Sequence, residues 1–263
     1  MILAVDIGNT NIVLGCLDGN TVCGTARLAT APRRTEHEYA AFIRQVFDFS
    51  DQFYTDFDGA IVSSVVPPLT YVLCEAIRML TGHTPLVVGA GVKTGLNIRI
   101  DNPAQLGSDL VATAVAAAAD YPTPAVIIDM GTATTITVLD GAGDFLGGAI
   151  IPGLSVSLTA LASNTSQLPR IPIEAPKHVI GTNTIACMQS GAVFGAASML
   201  DGMIDRIEEE LGRPASIIAT GGLSGSVIPY CRHEIKLDDT LLLRGLGKIY
   251  EKNRRDAAHR RSR

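Results

Sequence analysis

The sequence predicts an α/β protein that contains the same fold twice, and two observations support this. Short runs rich in Val, Ile and Leu alternate with amphipathic helical patterns along the chain. A strand that ends in an aspartate and a glycine turn occurs twice, as AVDIGNTN at residues 4–11 and as VIIDMGTAT at residues 126–134. Each half then follows the order strand, strand, strand, helix, strand, helix.

The first half contains five predicted strands, over residues 2–5, 12–17, 22–28, 60–66 and 86–88. Apolar residues at helical spacing predict helices around 39–47 and 73–80, and the alanine-rich segment 108–120 predicts a third. In the second half, strands are predicted over 125–129, 134–139, 145–151 and 217–220. The predicted helices of that half cover residues 155–162, 185–211 and 241–252.

The two halves align at matching positions. DIG at 6–8 corresponds to DMG at 129–131, and the hairpin turn DG at 18–19 corresponds to DG at 140–141. The spacing between these pairs is 12 residues in the first half and 11 in the second. We therefore predict an internal duplication with domains 1–120 and 121–252, divided where DYPTP breaks a helix.

Composition and charge restrict the class of protein. The chain has 263 residues, of which 47% are hydrophobic, enough for one large core or two modest ones. It has no apolar run near the roughly 18 residues that a membrane span needs. Its five cysteines are scattered and lack CxxC spacing, which predicts buried thiols in a reducing compartment. The sequence starts directly on a strand, without a signal segment. These features together predict a cytoplasmic protein without membrane partners.

The net charge is −5, although the last twelve residues hold six Lys or Arg and one Asp. The rest of the chain is therefore more acidic than the total, which disfavours nucleic acid as a partner. We interpret residues 253–263 as a basic flexible tail.

The chemistry of the two turns predicts a phosphate site. Glycine lets the backbone approach a ligand closely, and small hydroxyl and amide groups donate to phosphate oxygens. The aspartates repel phosphate, so they are expected to act through a cation. Two such turns are expected to face each other across a cleft between the copies, where ligands commonly bind. Ordinary Asp-Gly and Asn-Gly turn chemistry is the alternative explanation.

An ordered set of motifs gives a specific resemblance. It comprises DIGNTN, NPAQLGSDL, DMGTAT, GGAIIPGL, LP at 168–169, IGTNT at 180–184, QSG at 189–191 and ATGGL at 219–223. The chain resembles the acetate/sugar-kinase, heat-shock-ATPase and actin superfamily, and within it the type III pantothenate kinases. The resemblance implies two ribonuclease-H-like domains with a nucleotide cleft. It also implies ATP-dependent phosphorylation of pantothenate to 4′-phosphopantothenate, the first step of coenzyme A biosynthesis.

The resemblance also assigns residues to ATP and to cations. The first phosphate loop and its flanking residues are Asp6, Ile7, Gly8, Asn9, Thr10, Asn11, Ile12 and Val13. In the second loop, Gly131 and Thr132 are expected to contact ATP. Asp129 is expected to bind a monovalent cation, K⁺ or NH₄⁺, and Mg²⁺ should arrive with the nucleotide. The ATGGL motif either flanks the adenosine or is a plain strand-to-helix turn.

Asp109 matches the family's proton acceptor, which takes the hydroxyl proton of pantothenate. The alternative is a helix cap or first-turn aspartate favoured by the helix dipole. A helix N-terminus should lower its pKa and make it a weaker base, which the loose transition state of phosphoryl transfer tolerates. The pantothenate-binding residues are expected to be Gly107, Ser108, Asp109, Leu110 and Thr184. Backbone N–H groups of 107–110 could hold the pantothenate carboxylate.

Thr184 is expected to reach the pantothenate site of the opposite subunit in a homodimer, although an N-cap for the following helix is the simpler interpretation. The small residues on that helix are Gly191, Gly195, Ala196 and Ala197. They would let another helix approach closely, in a dimer interface or in a tight monomer core.

Two positions depart from the family pattern. Leu110 stands where the family commonly has an arginine, and Ile100 where it commonly has a tyrosine. Leucine cannot pair with a carboxylate, and isoleucine offers no hydroxyl. Three explanations are open. Neighbours such as Arg99 replace the missing side chains, or substrate binding is weaker, or the protein is a non-catalytic regulator or binding protein that retains nucleotide or pantothenate binding. Because Asp109 and both loops are intact, the sequence favours a working enzyme.

Overall fold

The computed structural model describes residues 1–49 and 56–261, with side chains through residue 256. The chain divides into two α/β units. The first comprises Met1–Leu96, Asp101–Ala119 and the chain from Thr240 onward. The second comprises Asn97–Ile100 and Asp120–Asp239.

The first unit has a five-stranded sheet in the order β3-β2-β1-β4-β5. Its strands are β1 (Ile2–Ile7), β2 (Asn11–Asp18), β3 (Thr21–Ala29), β4 (Gly59–Ser64) and β5 (Leu86–Val87). The first three strands are antiparallel neighbours, whereas β4 runs parallel to β1 and β5 parallel to β4. The helices are α1 (Glu36–Asp48), α2 (Pro67–Thr81) and α3 (Ser108–Asp120). The apolar faces of α1 and α2 cover one face of the sheet and bury Tyr39, Ile43 and Leu73.

The second unit has a sheet in the order β10-β9-β6-β7-β8, the same arrangement traced from the other edge. Its strands are β6 (Ala125–Met130), β7 (Ala133–Leu139), β8 (Phe145–Pro152), β9 (Ser216–Thr220) and β10 (Lys236–Leu237). The helices are α4 (Leu154–Ser163), α5 (Thr184–Leu211) and α6 (Ser224–Val227). Two helices, α4 and α5, connect β8 to β9, and they match the predicted helices 155–162 and 185–211, although the order predicted for each half has one helix there.

The strand pairings of the two units match in detail. The β2–β3 ladder shifts register between Cys16 and Leu17, and the β7–β8 ladder shifts between Val138 and Leu139. The alignment of the two halves pairs these same positions. Two mixed five-stranded sheets with one strand order confirm the predicted α/β fold with two copies.

The last helix, α7 (Leu241–Arg261), differs from the prediction in two ways. It continues past the predicted end at Lys252 into the segment interpreted as a tail, because charged residues without Gly or Pro are good helix formers. It also packs on β1, β4 and β2 of the first unit, with Leu241, Leu246 and Ile249 buried, although it was predicted in the second domain. Residues 262 and 263 of the predicted tail lie outside the described residues.

Candidate functional site

The first turn joins β1 to β2 and presents polar groups. Asp6 lies one residue before the end of β1, is partly buried, and has its Oδ1 atom inside the protein. The Gly8 N–H donates to the carbonyl oxygen of Asn11 at 3.0 Å, which closes the turn. Asn9, Thr10 and Asn11 are exposed, so the turn can present backbone and side-chain donors to a ligand.

The strand residues that flank this turn contribute differently. Ile7 and Ile12 have no exposed surface and belong to the core of the first unit, and Val13 is partly buried. Only the backbone of Ile7 and Ile12 could therefore contact a nucleotide, so side-chain contacts at these two predicted positions are ruled out.

Thr30, immediately after β3, supports the first turn from the side. Its N–H donates to the Thr10 carbonyl at 3.0 Å, and its Oγ1 donates to the Gly8 carbonyl at 2.7 Å. Sequence reasoning missed this residue. No motif marks it, because its place opposite residue 10 follows from the strand register that pairs Asn11 with Ala29.

The second turn, between β6 and β7, is one residue shorter. The Gly131 N–H donates to the Ala133 carbonyl at 3.0 Å, and the last strand pair is Met130 with Thr134. Three residues thus lie between the last paired residues, Met130 and Thr134, whereas four lie between Ile7 and Ile12. The difference between the 12- and 11-residue spacings therefore falls within the turns.

Asp129 lies one residue before the end of β6, and the ATGGL turn packs against it. A Cβ on Gly221 would overlap Oδ1 of Asp129 and lie 2.6 Å from the Met130 nitrogen. The Leu223 N–H donates to the Met130 carbonyl at 3.3 Å. The ATGGL motif therefore packs around Asp129. From the sequence, only contact with adenosine or a plain strand-to-helix turn was expected.

Asp109 lies in the first turn of α3, and its Oδ1 accepts a hydrogen bond from the Leu110 N–H at 2.8 Å. Burial raises the pKa of Asp109 above its ordinary value, and hydrogen bonds from the N–H groups of Leu110 and Asp109 only partly oppose this. The expectation of a lowered pKa was wrong because desolvation outweighs the helix N-terminus. Asp109 is thus a stronger base than an ordinary aspartate. The Leu110 N–H, expected to hold substrate, is engaged by this carboxylate.

A network of hydroxyl groups anchors the start of α3 to the end of β4. Ser108 Oγ lies 3.0 Å from Ser63 Oγ and accepts from the Ser64 N–H at 3.0 Å. Thr70 Oγ1 donates to Ser64 Oγ at 2.7 Å. Ser63 is also the partner of Asp6 in the parallel β1–β4 register. The first turn and the helix that carries Asp109 therefore lie at the same edge of the sheet of the first unit.

Helix α5 is capped by Asn183, whose side chain accepts from the Ala186 N–H at 2.9 Å. The N-cap interpretation of Thr184 is therefore wrong; this residue is the first of the helix and is exposed.

The small residues of α5 do not all serve the monomer core. Gly191 and Gly195 are exposed, and a Cβ on either would meet nothing within 4 Å, whereas Ala197 is buried. The two glycines line a groove of about 520 Å³ between α4 and α5. A tight monomer core accounts for Ala197 but not for these glycines.

Arg99 is engaged elsewhere. Its guanidinium lies 2.5 Å from Asp144 and 3.7 Å from Asp140, all within the second unit. These ion pairs argue against the expectation that Arg99 replaces the missing arginine. Within the described residues, no group of three His, Cys, Asp or Glu side chains could hold a metal ion. The helices of that part of the chain include none that is long and apolar enough to span a membrane.

Two units of one topology, each with a glycine turn after its first strand, define the acetate/sugar-kinase, heat-shock-ATPase and actin class of folds. A solved structure described as a Baf family transcriptional activator from Campylobacter jejuni has a TM-score of 0.59 at 21% identity. The match covers 96% of this chain and 99% of that one, and it supports the fold alone.

Sequence comparison identifies the family. The family model for type III pantothenate kinase matches residues 2–206. Type III pantothenate kinase of Moorella thermoacetica is 41% identical over 253 residues, with 96% of this chain and 100% of the relative covered. That of Halalkalibacterium halodurans is 43% identical with the same coverage. The chain belongs to the type III pantothenate kinase family.

Proposed function

We propose that this protein transfers the γ-phosphoryl group of ATP to the primary hydroxyl of pantothenate, which yields 4′-phosphopantothenate and ADP for coenzyme A biosynthesis. Besides family membership, one observation carries the proposal. A carboxylate of raised pKa, Asp109, lies on a helix anchored at the same sheet edge as the first phosphate turn. A base and a phosphate-binding turn at one edge suit phosphoryl transfer.

The first turn binds the phosphates of ATP. The backbone N–H groups of residues 9–11 and the exposed side chains of Asn9, Thr10 and Asn11 supply the donors, while the Gly8 N–H closes the turn. Asp6 lies at the same end of the sheet and would interact with Mg²⁺ that arrives with the nucleotide, where the ion would offset the phosphate charge. In the second unit, exposed Thr132 is proposed as a further donor to ATP, and Gly131, whose N–H is engaged by the Ala133 carbonyl, is proposed to let the backbone approach closely.

Asp129 is proposed as one ligand of K⁺ or NH₄⁺. The surroundings fit this role, since Gly221 has no side chain over Oδ1 and Gly131 leaves space beside the same atom, with a Cβ there 3.6 Å away. A single carboxylate together with carbonyl groups and water suits a weakly hydrated monovalent cation. A divalent ion usually takes several carboxylates.

Asp109 accepts the proton of the pantothenate hydroxyl as this oxygen forms its bond to the γ-phosphorus. The bond from that phosphorus to the bridging oxygen breaks, and ADP leaves with the electron pair. The raised pKa of Asp109 improves it as a base, while positioning contributes most of the rate in a loose transition state. Gly107, immediately before α3, and Ser108, the first residue of α3, lie beside it in the chain and are proposed to contact pantothenate.

The protein is proposed to act as a homodimer. The exposed glycines Gly191 and Gly195 leave a groove that a second copy could enter, and exposed Thr184 would complete the partner's pantothenate site. We propose a cytoplasmic location, because the five cysteines are free thiols, as is usual for proteins of a reducing compartment.

A coupled assay tests the activity. Purified protein with ATP, Mg²⁺ and K⁺ is given pantothenate, and ADP and phosphopantothenate are measured, with Asp109→Asn protein as the control. Product from the wild type only supports the proposal. Because Leu110 and Ile100 depart from the family pattern, the competing function is a non-catalytic binding protein. Nucleotide or pantothenate binding by calorimetry without product would establish that alternative.

A further inference from the structure

The first phosphate turn is held by a residue outside the motif that defines it. Thr30 makes two hydrogen bonds to the turn, one from its backbone N–H to Thr10 and one from its hydroxyl to Gly8. The hydroxyl bond, at 2.7 Å, is partly buried. Both bonds end on carbonyl oxygens of the turn, so Thr30 supplies donors where the turn supplies acceptors.

These two bonds determine which way the neighbouring N–H groups point. The only cis peptide bond among the described residues is Thr123-Pro124, so the peptides of this turn are trans. In a trans peptide, the carbonyl of one residue and the N–H of the next point in opposite directions. With the Gly8 carbonyl directed to Thr30, the Asn9 N–H points away from Thr30. The Thr10 carbonyl fixes the Asn11 N–H in the same way.

The second turn has a corresponding support of different chemistry. Gly153 follows β8 as Thr30 follows β3, since Pro152 pairs with Ala133 and Ala29 with Asn11. A Cβ on Gly153 would overlap the Thr132 carbonyl oxygen and lie 2.6 Å from that of Gly131. The residue after the third strand thus contacts the turn in both units, by hydrogen bonds in one and by close approach in the other.

We propose that Thr30 is a positioning residue for ATP: its hydroxyl holds the Gly8–Asn9 peptide so that the Asn9 N–H is directed at phosphate. The proposal rests on the proposed function, because it assumes that this turn binds ATP. Without the hydroxyl, the Gly8 carbonyl no longer accepts a hydrogen bond from Thr30, so the Gly8–Asn9 peptide can rotate. A rotated peptide would turn its carbonyl oxygen towards the phosphate, and the two groups would repel each other. The effect should therefore fall on the nucleotide and leave pantothenate binding unchanged.

The test compares Thr30→Val, which keeps the shape and the backbone N–H but removes the hydroxyl, with Thr30→Ser, which keeps the hydroxyl. Thr25→Val is the matched control, because Thr25 is an exposed threonine on β3, the strand that leads to Thr30. Steady-state kinetics give KM for ATP and for pantothenate, and thermal melting reports folding. We expect Thr30→Val to raise KM for ATP roughly tenfold, the scale of one hydrogen bond, with KM for pantothenate within about twofold. Thr30→Ser should recover most of the affinity, and Thr25→Val should match the wild type.

An active wild type with an unchanged KM for ATP in Thr30→Val overturns the inference, as does an equal rise in both KM values that Thr30→Ser fails to recover. If Thr30→Val does not fold, Thr30→Ala replaces it in the same comparison. If the wild type makes no product, the proposed kinase activity is wrong, but the role of Thr30 can still be tested. The ATP affinities of the wild type and Thr30→Val are then measured by calorimetry. In that measurement, the inference is overturned if Thr30→Val binds ATP as tightly as the wild type does, or if the wild type binds no ATP.

Discussion

The backbone of Gly221 lies so close to the Asp129 carboxylate that any side chain at residue 221 would overlap Oδ1 of Asp129. Gly221 also has a φ of +92°, in a region that other residues adopt only with strain. The turn after β9 therefore determines where the Asp129 carboxylate can lie. Any role of Asp129 in cation binding depends on this glycine.

Substitution of Gly221 should change the response to potassium. We expect Gly221→Ala to displace the Asp129 carboxylate and to raise the K⁺ concentration for half-maximal activity roughly tenfold or more. Asp129→Ala should lose the K⁺ response, and the wild type should be poor in Na⁺ alone. Gly225→Ala is the control, because a Cβ there meets nothing within 4 Å. Equal rates in Na⁺ and K⁺ for the wild type would remove the cation assignment.

Asp109→Asn should lower kcat by roughly 100-fold or more, the usual effect of losing a positioned acid–base group, and leave ATP affinity near normal. The base must be deprotonated to act, and the pKa of Asp109 in the wild type is raised. As the pH falls, activity should therefore begin to decline at a pH higher than about 3.9, the pKa of an ordinary aspartate. Rapid kinetics across pH measure this acidic limb. Near-normal turnover in the variant would reduce Asp109 to a structural residue.

The same variant should be more stable than the wild type at neutral pH. A carboxyl whose pKa is raised on folding stabilises the folded state while protonated, and this contribution is lost as pH rises through the folded pKa. Asparagine stays neutral and can still accept from the Leu110 N–H. We expect its melting temperature to exceed that of the wild type by about 1–3 °C at pH 7.5, with the gain shrinking towards pH 4. A lower melting temperature at pH 7.5 would contradict the burial argument.

Mixed dimers test whether Thr184 serves the partner's site. Asp109→Asn and Thr184→Ala chains with different tags are co-expressed, and dimers that carry both tags are isolated. If each site combines Asp109 of one chain with Thr184 of the other, one site receives both lesions and the second is intact. About half of the wild-type activity should then return. No recovery would show that both residues act within one chain.

Gly195 tests the proposed dimer interface directly. Because a side chain there meets nothing within 4 Å in the monomer, Gly195→Leu should fold normally but obstruct a helix that approaches from a second copy. Analytical ultracentrifugation should show a monomer, with unchanged far-UV circular dichroism. The control is Glu210→Leu, which adds an apolar side chain at an exposed position near the end of the same helix. A Gly195→Leu protein that dimerises as the wild type does would place the interface elsewhere.

Much of the fold could be predicted because local patterns determine it. The runs of Val, Ile and Leu gave nine of the strands to within about two residues, since β-branched residues and flanking glycines or aspartates are strong local signals. The two-residue strand Lys236–Leu237 has no such pattern and was missed. The assignment of α7 to the first unit depends on distant contacts of Leu241 and Ile249, which no local pattern contains.

The site could be predicted only where its residues form motifs. Asp6 and Asp129 belong to recognisable turns, and Asp109 belongs to a family motif. Thr30 contacts the first turn, and Ser63 lies beside Asp6 and contacts Ser108, only because the strands pair in a particular register. The pKa of Asp109 depends on how completely its helix start is covered, and a helix-dipole argument alone gave the wrong sign.

The one-residue difference between the two turns bears on how the copies could have diverged. A residue inserted inside a strand moves every side chain beyond it to the opposite face and would destroy a core. A residue inserted between Ile7 and Ile12 leaves both ladders intact, as the shared register shifts further along the strands indicate. If one ancestral gene gave rise to both halves, the turns were the places where the ancestor could be lengthened without loss of its scaffold. The turn after the first strand is then a segment of each half that can change length while the sheet is kept, and loop-length libraries built there should yield folded proteins.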